Sequence, residues 1–185
     1  MAGIEYEYNL GRAPYDVRID SERYEQLLLE KANPRYPVKD LKIIIGRSGF
    51  LFDAVLVVRK KIYMSSGKEW KTYSGGSPAE GENELASKLF HETKHALDLQ
   101  NPFAVVARSV YWVGITQLVY LTSEHTLESV SPANPFNSVL AFSLALESSL
   151  LLYKIDPFEI RANNFAKSMI EDQAYSGIVR ISPKD

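Results

Sequence analysis

Two of the chain's three histidines, His91 and His95, stand four residues apart inside a stretch whose apolar residues recur at helical spacing. Leu85, Ala86, Leu89, Phe90, Ala96, Leu97 and Leu99 mark one helix, over residues 79–100. Ser77-Pro78-Ala79-Glu80 reads as its start, with a capping box and a proline in the first turn, and Asn101-Pro102 as its stop. Gly81 leaves that first turn open. Residues four apart share one face of a helix, so both imidazoles can grip a single cation while Glu92 lies beside it. The other reading of the same spacing is an amphipathic helix with both histidines on its solvated face.

His91-Glu92-Thr93-Lys94-His95 has the chemistry of a zinc site. Two neutral imidazoles and a third protein ligand hold Zn2+ tetrahedrally, and the open fourth position takes a water whose pKa falls from about 15.7 to about 7. Glu92, next to the first histidine, is the natural acceptor of that water's proton and its later donor to a leaving amine. The chain has no cysteine, so a thiolate site and a disulfide framework are both excluded, and histidine and carboxylate remain as the usual ligands.

The candidate third ligand lies in Asp156-Pro157-Phe158-Glu159-Ile160-Arg161-Ala162-Asn163. A helix begun at Pro157 and running over 157–174 puts Glu159 and Asn163 on one face, one to bind metal and the other to orient a histidine through its second ring nitrogen. The competing reading is local: Asp156 as N-cap, Pro157 at N1, and Glu159 at N3 near the positive end of the helix dipole.

His91-Glu92-x-x-His95 followed by Glu159-x-x-x-Asn163 resembles the gluzincin branch of zinc metallopeptidases, in particular its small minigluzincin-like members. The resemblance covers residues from about 62 to about 170. It implies an α+β, zincin-like domain in which a small, mostly antiparallel sheet packs on the active-site helix, with a helical hairpin (103–155) and the glutamate helix following. It also implies a peptide or protein substrate, zinc as cofactor, His91, His95 and Glu159 as ligands, and Glu92 as the catalytic acid and base. His125 and Tyr153 are equal candidates for stabilising the oxyanion. Asn163 departs from the family's usual aspartate, and an amide brings no negative charge to the histidine that it would support.

The sheet is expected within residues 40–65. Leu41 to Ile45 and Phe50 to Val58 read as buried strands around a Gly46-Arg47-Ser48-Gly49 turn, and Ile62 to Ser65 as a short edge strand before a polar loop over Ser65 to Ser77. An ordinary three-stranded meander is the other reading. Residues 1–38 form an accessory segment with a short helix from Asp20-Ser21-Glu22 to Lys31, its Tyr24, Leu27, Leu28 and Ala32 inward, packing on the sheet. Past the glutamate helix, whose core face is Phe158, Ala162, Phe165, Ala166 and Met169, Gly177 marks a break. The tail beyond it either adds a strand or lies across the cleft and keeps the enzyme latent.

Phe103 to Thr122 and Ser138 to Ile155 are nearly long enough to span a bilayer, but Arg108 and Glu147 interrupt them. A buried hairpin with Arg108 and Glu147 paired is expected, with membrane association as the alternative, and the linker Ser123 to Asn137 is expected on the surface. At 185 residues, 45% hydrophobic and with 21 basic against 23 acidic side chains, the chain has material for one core and no excess charge for nucleic acid. The amino terminus lacks a basic start and an apolar run, so no secretory signal and a cytoplasmic location are expected. Two rivals remain: a zincin-fold binding or regulatory protein of little or no activity, and a metal-free helical interaction module.

Overall fold

The computed structural model describes residues 3–32, 41–46, 56–58, 60–128, 155–171 and 177–184. The chain divides into two compact units, Met1–Asn101 with Ala162–Asp185, and Pro102–Arg161. The elements are mixed α and β, as the α+β expectation requires at that level.

In the first unit, β1 (Glu5–Asn9), β3 (Lys42–Gly46), β5 (Lys61–Ser65) and β4 (Leu56–Val58) form one sheet in the order β1-β3-β5-β4. β1 and β5 run parallel to β3, and only β4 is antiparallel to its neighbour. The expected mostly antiparallel sheet is therefore corrected to a mixed one, and the meander reading is corrected with it. The strand at Ile62 to Ser65 is interior, and among the described residues the edges are β1 and β4. Its sequence carries the reason: Ile62 and Met64 are buried opposite Ile43 and Ile45, and an inner strand needs a partner on both sides. The stretch before Leu56 lies outside the described residues.

β2 (Tyr15–Ile19) and β6 (Val179–Pro183) make a second, two-stranded antiparallel sheet. The tail thus adds a strand. Gly177 turns the chain into it at φ 82°, a conformation glycine adopts without steric cost. The Ile181 amide then donates to Glu82 Oε1 at 3.0 Å, tying β6 to the helix that carries the histidines.

Asp20 caps α1 (Ser21–Leu27), accepting from the Arg23 amide at 3.2 Å, and a π-helical turn, Leu28–Ala32, follows. Tyr24, Leu27 and Leu28 are buried as their spacing predicts. Tyr24 reaches the histidine helix: its hydroxyl is 2.6 Å from that of Thr93, and its ring lies 5.2 Å from Phe90. Burial pushes the Tyr24 hydroxyl above the usual tyrosine range, with the Thr93 hydrogen bond opposing in part. A raised folded pKa means stability fully present below the unfolded value of about 10 and lost above it, by about 1.4 kcal/mol per pH unit for one proton. Urea unfolding at pH 9, 10 and 11 is expected to show that decline, and Tyr24→Phe to flatten it by one proton's share.

The polar stretch after β5 is a helix, α2 (Gly67–Ser74), where a loop was expected. Its inward residues are Trp70, stacked between Tyr15 (4.9 Å) and Tyr73 (5.4 Å), and Glu69, which accepts from Lys88 Nζ at 3.2 Å. A buried carboxylate paired through one oxygen with a lysine makes the segment look hydrophilic in sequence although one face is inside. α3 (Pro78–Asp98) packs directly on it. A Cβ at Gly81 would lie 2.6 Å from the Glu69 carbonyl oxygen and 2.8 Å from the Tyr73 nitrogen, so glycine is what permits this approach. The expected capping box at Ser77 is absent, its side chain making no cap hydrogen bond, and Pro78 alone starts the helix.

In the second unit, α4 (Pro102–Glu128) is one helix of 27 residues. It runs past the expected end at Thr122, so His125 belongs to a helix, not to a surface linker; no breaker precedes Pro132 in this stretch. The second arm of the expected hairpin, with Glu147, lies outside the described residues. Among the described residues, no helix is long and apolar enough to cross a membrane. α5 (Pro157–Glu171) begins in this unit, and from Ala162 onward it belongs to the first, where Ala166 and Met169 join the core.

Candidate metal centre

α3 sets the first two ligands. Thr93 is fully buried, and on a helix it points away from His91 and His95, which are separated from it by two residues either way. The opposite face is not solvated either: His95 is 5% exposed, and no residue from Gly81 to Gln100 falls in the exposed class. That removes the physical basis of the amphipathic reading, which needs both imidazoles in water.

The two rings stand edge to face with centroids 4.7 Å apart, and their Nε2 atoms are 3.0 Å from each other. Two nitrogens bound tetrahedrally to one zinc at about 2.05 Å would be about 3.3 Å apart, so a shared ion needs an adjustment of only a few tenths of an ångström. Glu92 Oε1 lies 3.9 Å from His91 Nε2, beside the same point.

α5 carries the third candidate. Glu159, Ala162, Ala166 and Met169 follow each other at helical steps on one buried stripe, and Phe165 meets Phe90, the residue before His91, edge to face at 6.4 Å. Glu159 is 3% exposed. His91, His95 and Glu159 each offer one ligand atom, and these atoms all lie within 4.8 Å of one another, a group of the size and donor type that could hold a metal ion.

The local reading of this helix start is also present. Asp156 Oδ1 accepts from the Phe158 amide at 2.8 Å, as an N-cap does. A glutamate needed only for the dipole could stay in solvent, yet Glu159 is inside, where Arg108 Nη2 donates to its Oε1 at 3.0 Å. Arg108 Nε is also 3.9 Å from Asp156 Oδ2. Arg108 thus has partners that the apolar pattern of its own helix did not reveal. Tyr111, one turn further along α4, has its hydroxyl raised above the usual range by desolvation and by the Asp156 carboxylate.

Asn163 is not brought to the imidazoles. It is exposed, and no hydrogen bond from it to either histidine occurs. One residue past the buried Ala162 it is rotated by about 100°, off the stripe that faces inward. The His125 side chain and all of Tyr153 lie outside the described residues.

Compared with protein-family models, with curated proteins and with solved structures, the chain matches none of them.

Proposed function

We propose that this chain is a zinc-dependent metallopeptidase of the gluzincin type, with His91, His95 and Glu159 as ligands and Glu92 as the general base and acid. The observation that carries the reading is the meeting of two imidazoles and one buried carboxylate within 4.8 Å, beside a second carboxylate that is not needed as a ligand. When bound, zinc supplies Lewis acidity, polarising a substrate carbonyl and bringing water to hydroxide-like reactivity near neutral pH. The chain's own residues do the rest. Glu92 takes a proton from the attacking water and returns it to the departing amine. The substrate is an extended peptide, and β4, an edge strand among the described residues and packed near α3, is where its main chain adds to the sheet. The cysteine-free composition suits a reducing interior, and we place the enzyme in the cytoplasm.

Zinc titration tests the reading. Protein purified without chelators is expected to hold one zinc per chain and to melt higher as zinc is added, by about 2.7 kcal/mol of stability at a free concentration one hundred times Kd. His95→Ala and Glu159→Ala are expected to lose that response. No zinc in the purified wild type, and a melting temperature that ignores added zinc, would leave the metal-free interaction module as the explanation.

A further inference from the structure

Arg108 is the one charged residue over residues 102–123 of α4, and within its unit it meets three partners from the start of α5. Its Nη2 donates to Glu159 Oε1 at 3.0 Å, its Nε is 3.9 Å from Asp156 Oδ2, and its guanidinium carbon lies 5.7 Å from the centre of the Phe158 ring. The carboxylate side chains are almost wholly enclosed, Asp156 at 0% and Glu159 at 4% exposure, while that of Arg108 is 25% exposed. This is more than a surface ion pair, because one guanidinium is hydrogen-bonded to one buried acid and lies within ion-pair distance of a second.

We propose that Arg108 is a positioning residue for the metal centre: it fixes the orientation of the Glu159 carboxylate, while Asp156 balances its charge so that Glu159 keeps its own for the cation. This rests on the reading of Glu159 as a zinc ligand.

The charge count decides between helping and hindering. A guanidinium facing Glu159 alone would neutralise it and repel an incoming cation. Shared with Asp156, one positive charge meets two negative ones, and the trio retains one net negative charge. The second guanidinium over the Phe158 ring, Arg161 at 5.4 Å, is solvent-exposed and therefore screened. Orientation is the other half. A carboxylate has two oxygens with about four acceptor directions, so Oε1 can accept from Arg108 while the group still ligates a metal. Partners of this kind, one step out from the ligand, typically carry about 10- to 100-fold in metal affinity.

The test uses the intact chain and two metals, zinc by competition with a chromogenic chelator and cobalt(II) by its visible spectrum. Arg108→Ala is expected to bind zinc about 10- to 100-fold more weakly and to lose the intensity that marks four-coordinate cobalt, as Glu159 is released. Arg108→Lys is expected to recover part of the affinity, since it restores the charge without the fork. Asp156→Asn keeps an oxygen for the Phe158 amide, so the helix start is retained, yet affinity is expected to fall because the trio becomes neutral. Melting of the metal-free proteins identifies any variant that fails to fold, and the two conservative variants then carry the test. Zinc affinity within twofold of wild type and an unchanged cobalt spectrum in the folded variants would overturn the assignment of Arg108 alone. A wild-type chain that binds neither metal would overturn the proposed centre, and this assignment with it.

Discussion

The Glu92→Gln chain is expected to take up zinc as the wild type does and to cleave peptides about 10²- to 10⁴-fold more slowly, the range that a positioned general base contributes. Glutamine nearly matches glutamate in shape but cannot accept a proton at neutral pH, so folding and metal binding should survive. Glu92 sits 3.9 Å from His91 Nε2 with its side chain 14% exposed, close to the nitrogen that would hold metal and shielded enough for its charge to matter. The measurement is kcat/KM on a quenched peptide library, with zinc content determined on the same samples. If both proteins hold zinc and neither cleaves any peptide, the enzyme reading fails, and a zincin-fold binding or regulatory protein takes its place.

The second large effect is on stability. Phe90 is fully buried and touches two other helices through aromatic rings, Tyr24 at 5.2 Å and Phe165 at 6.4 Å. Phe90→Ala should therefore cost about 3 to 5 kcal/mol, the usual cost of removing a buried aromatic ring and leaving a cavity. Against a total of about 5 to 15 kcal/mol for a domain, that is a large share. Because Phe90 precedes His91, the same change should loosen the imidazoles as well. Urea unfolding of the metal-free proteins separates the two effects, and a loss under about 1 kcal/mol would mean that these rings do not pack as described.

The two helices that bear the candidate ligands were legible because their apolar residues recur at three and four, and because Asn101-Pro102 and Asp156-Pro157 punctuate them. The burial of Glu159 was not. Asp-Pro-x-Glu is what any helix start can look like, and only the enclosure of the side chain against Arg108 separates Glu159 from a solvent-facing glutamate at a helix start. That partner is 51 residues earlier in the chain, beyond any local pattern. α2 was hidden by composition, since its inward residues include Glu69 and its apolar signal is only Trp70 and Tyr73. The strand directions were hidden for a different reason. Sequence marks strands at Leu41 to Ile45, Phe50 to Val58 and Ile62 to Ser65, but β5 pairs with its chain neighbour β4 on one side and runs parallel to β3 on the other, a choice of topology that no single strand encodes. Asn163 followed the family pattern in spacing, and lost its assigned place because the buried stripe of α5 passes through Ala162 instead.

X-ray absorption at the zinc edge of the purified, zinc-loaded chain tests the central claim most directly. The account predicts one zinc with two imidazole nitrogens at about 2.0 to 2.1 Å and carboxylate and water oxygens completing a four-coordinate shell, with the carboxylate contribution lost in Glu159→Ala. A shell of oxygens alone, or one that is the same in Glu159→Ala as in the wild type, would contradict it.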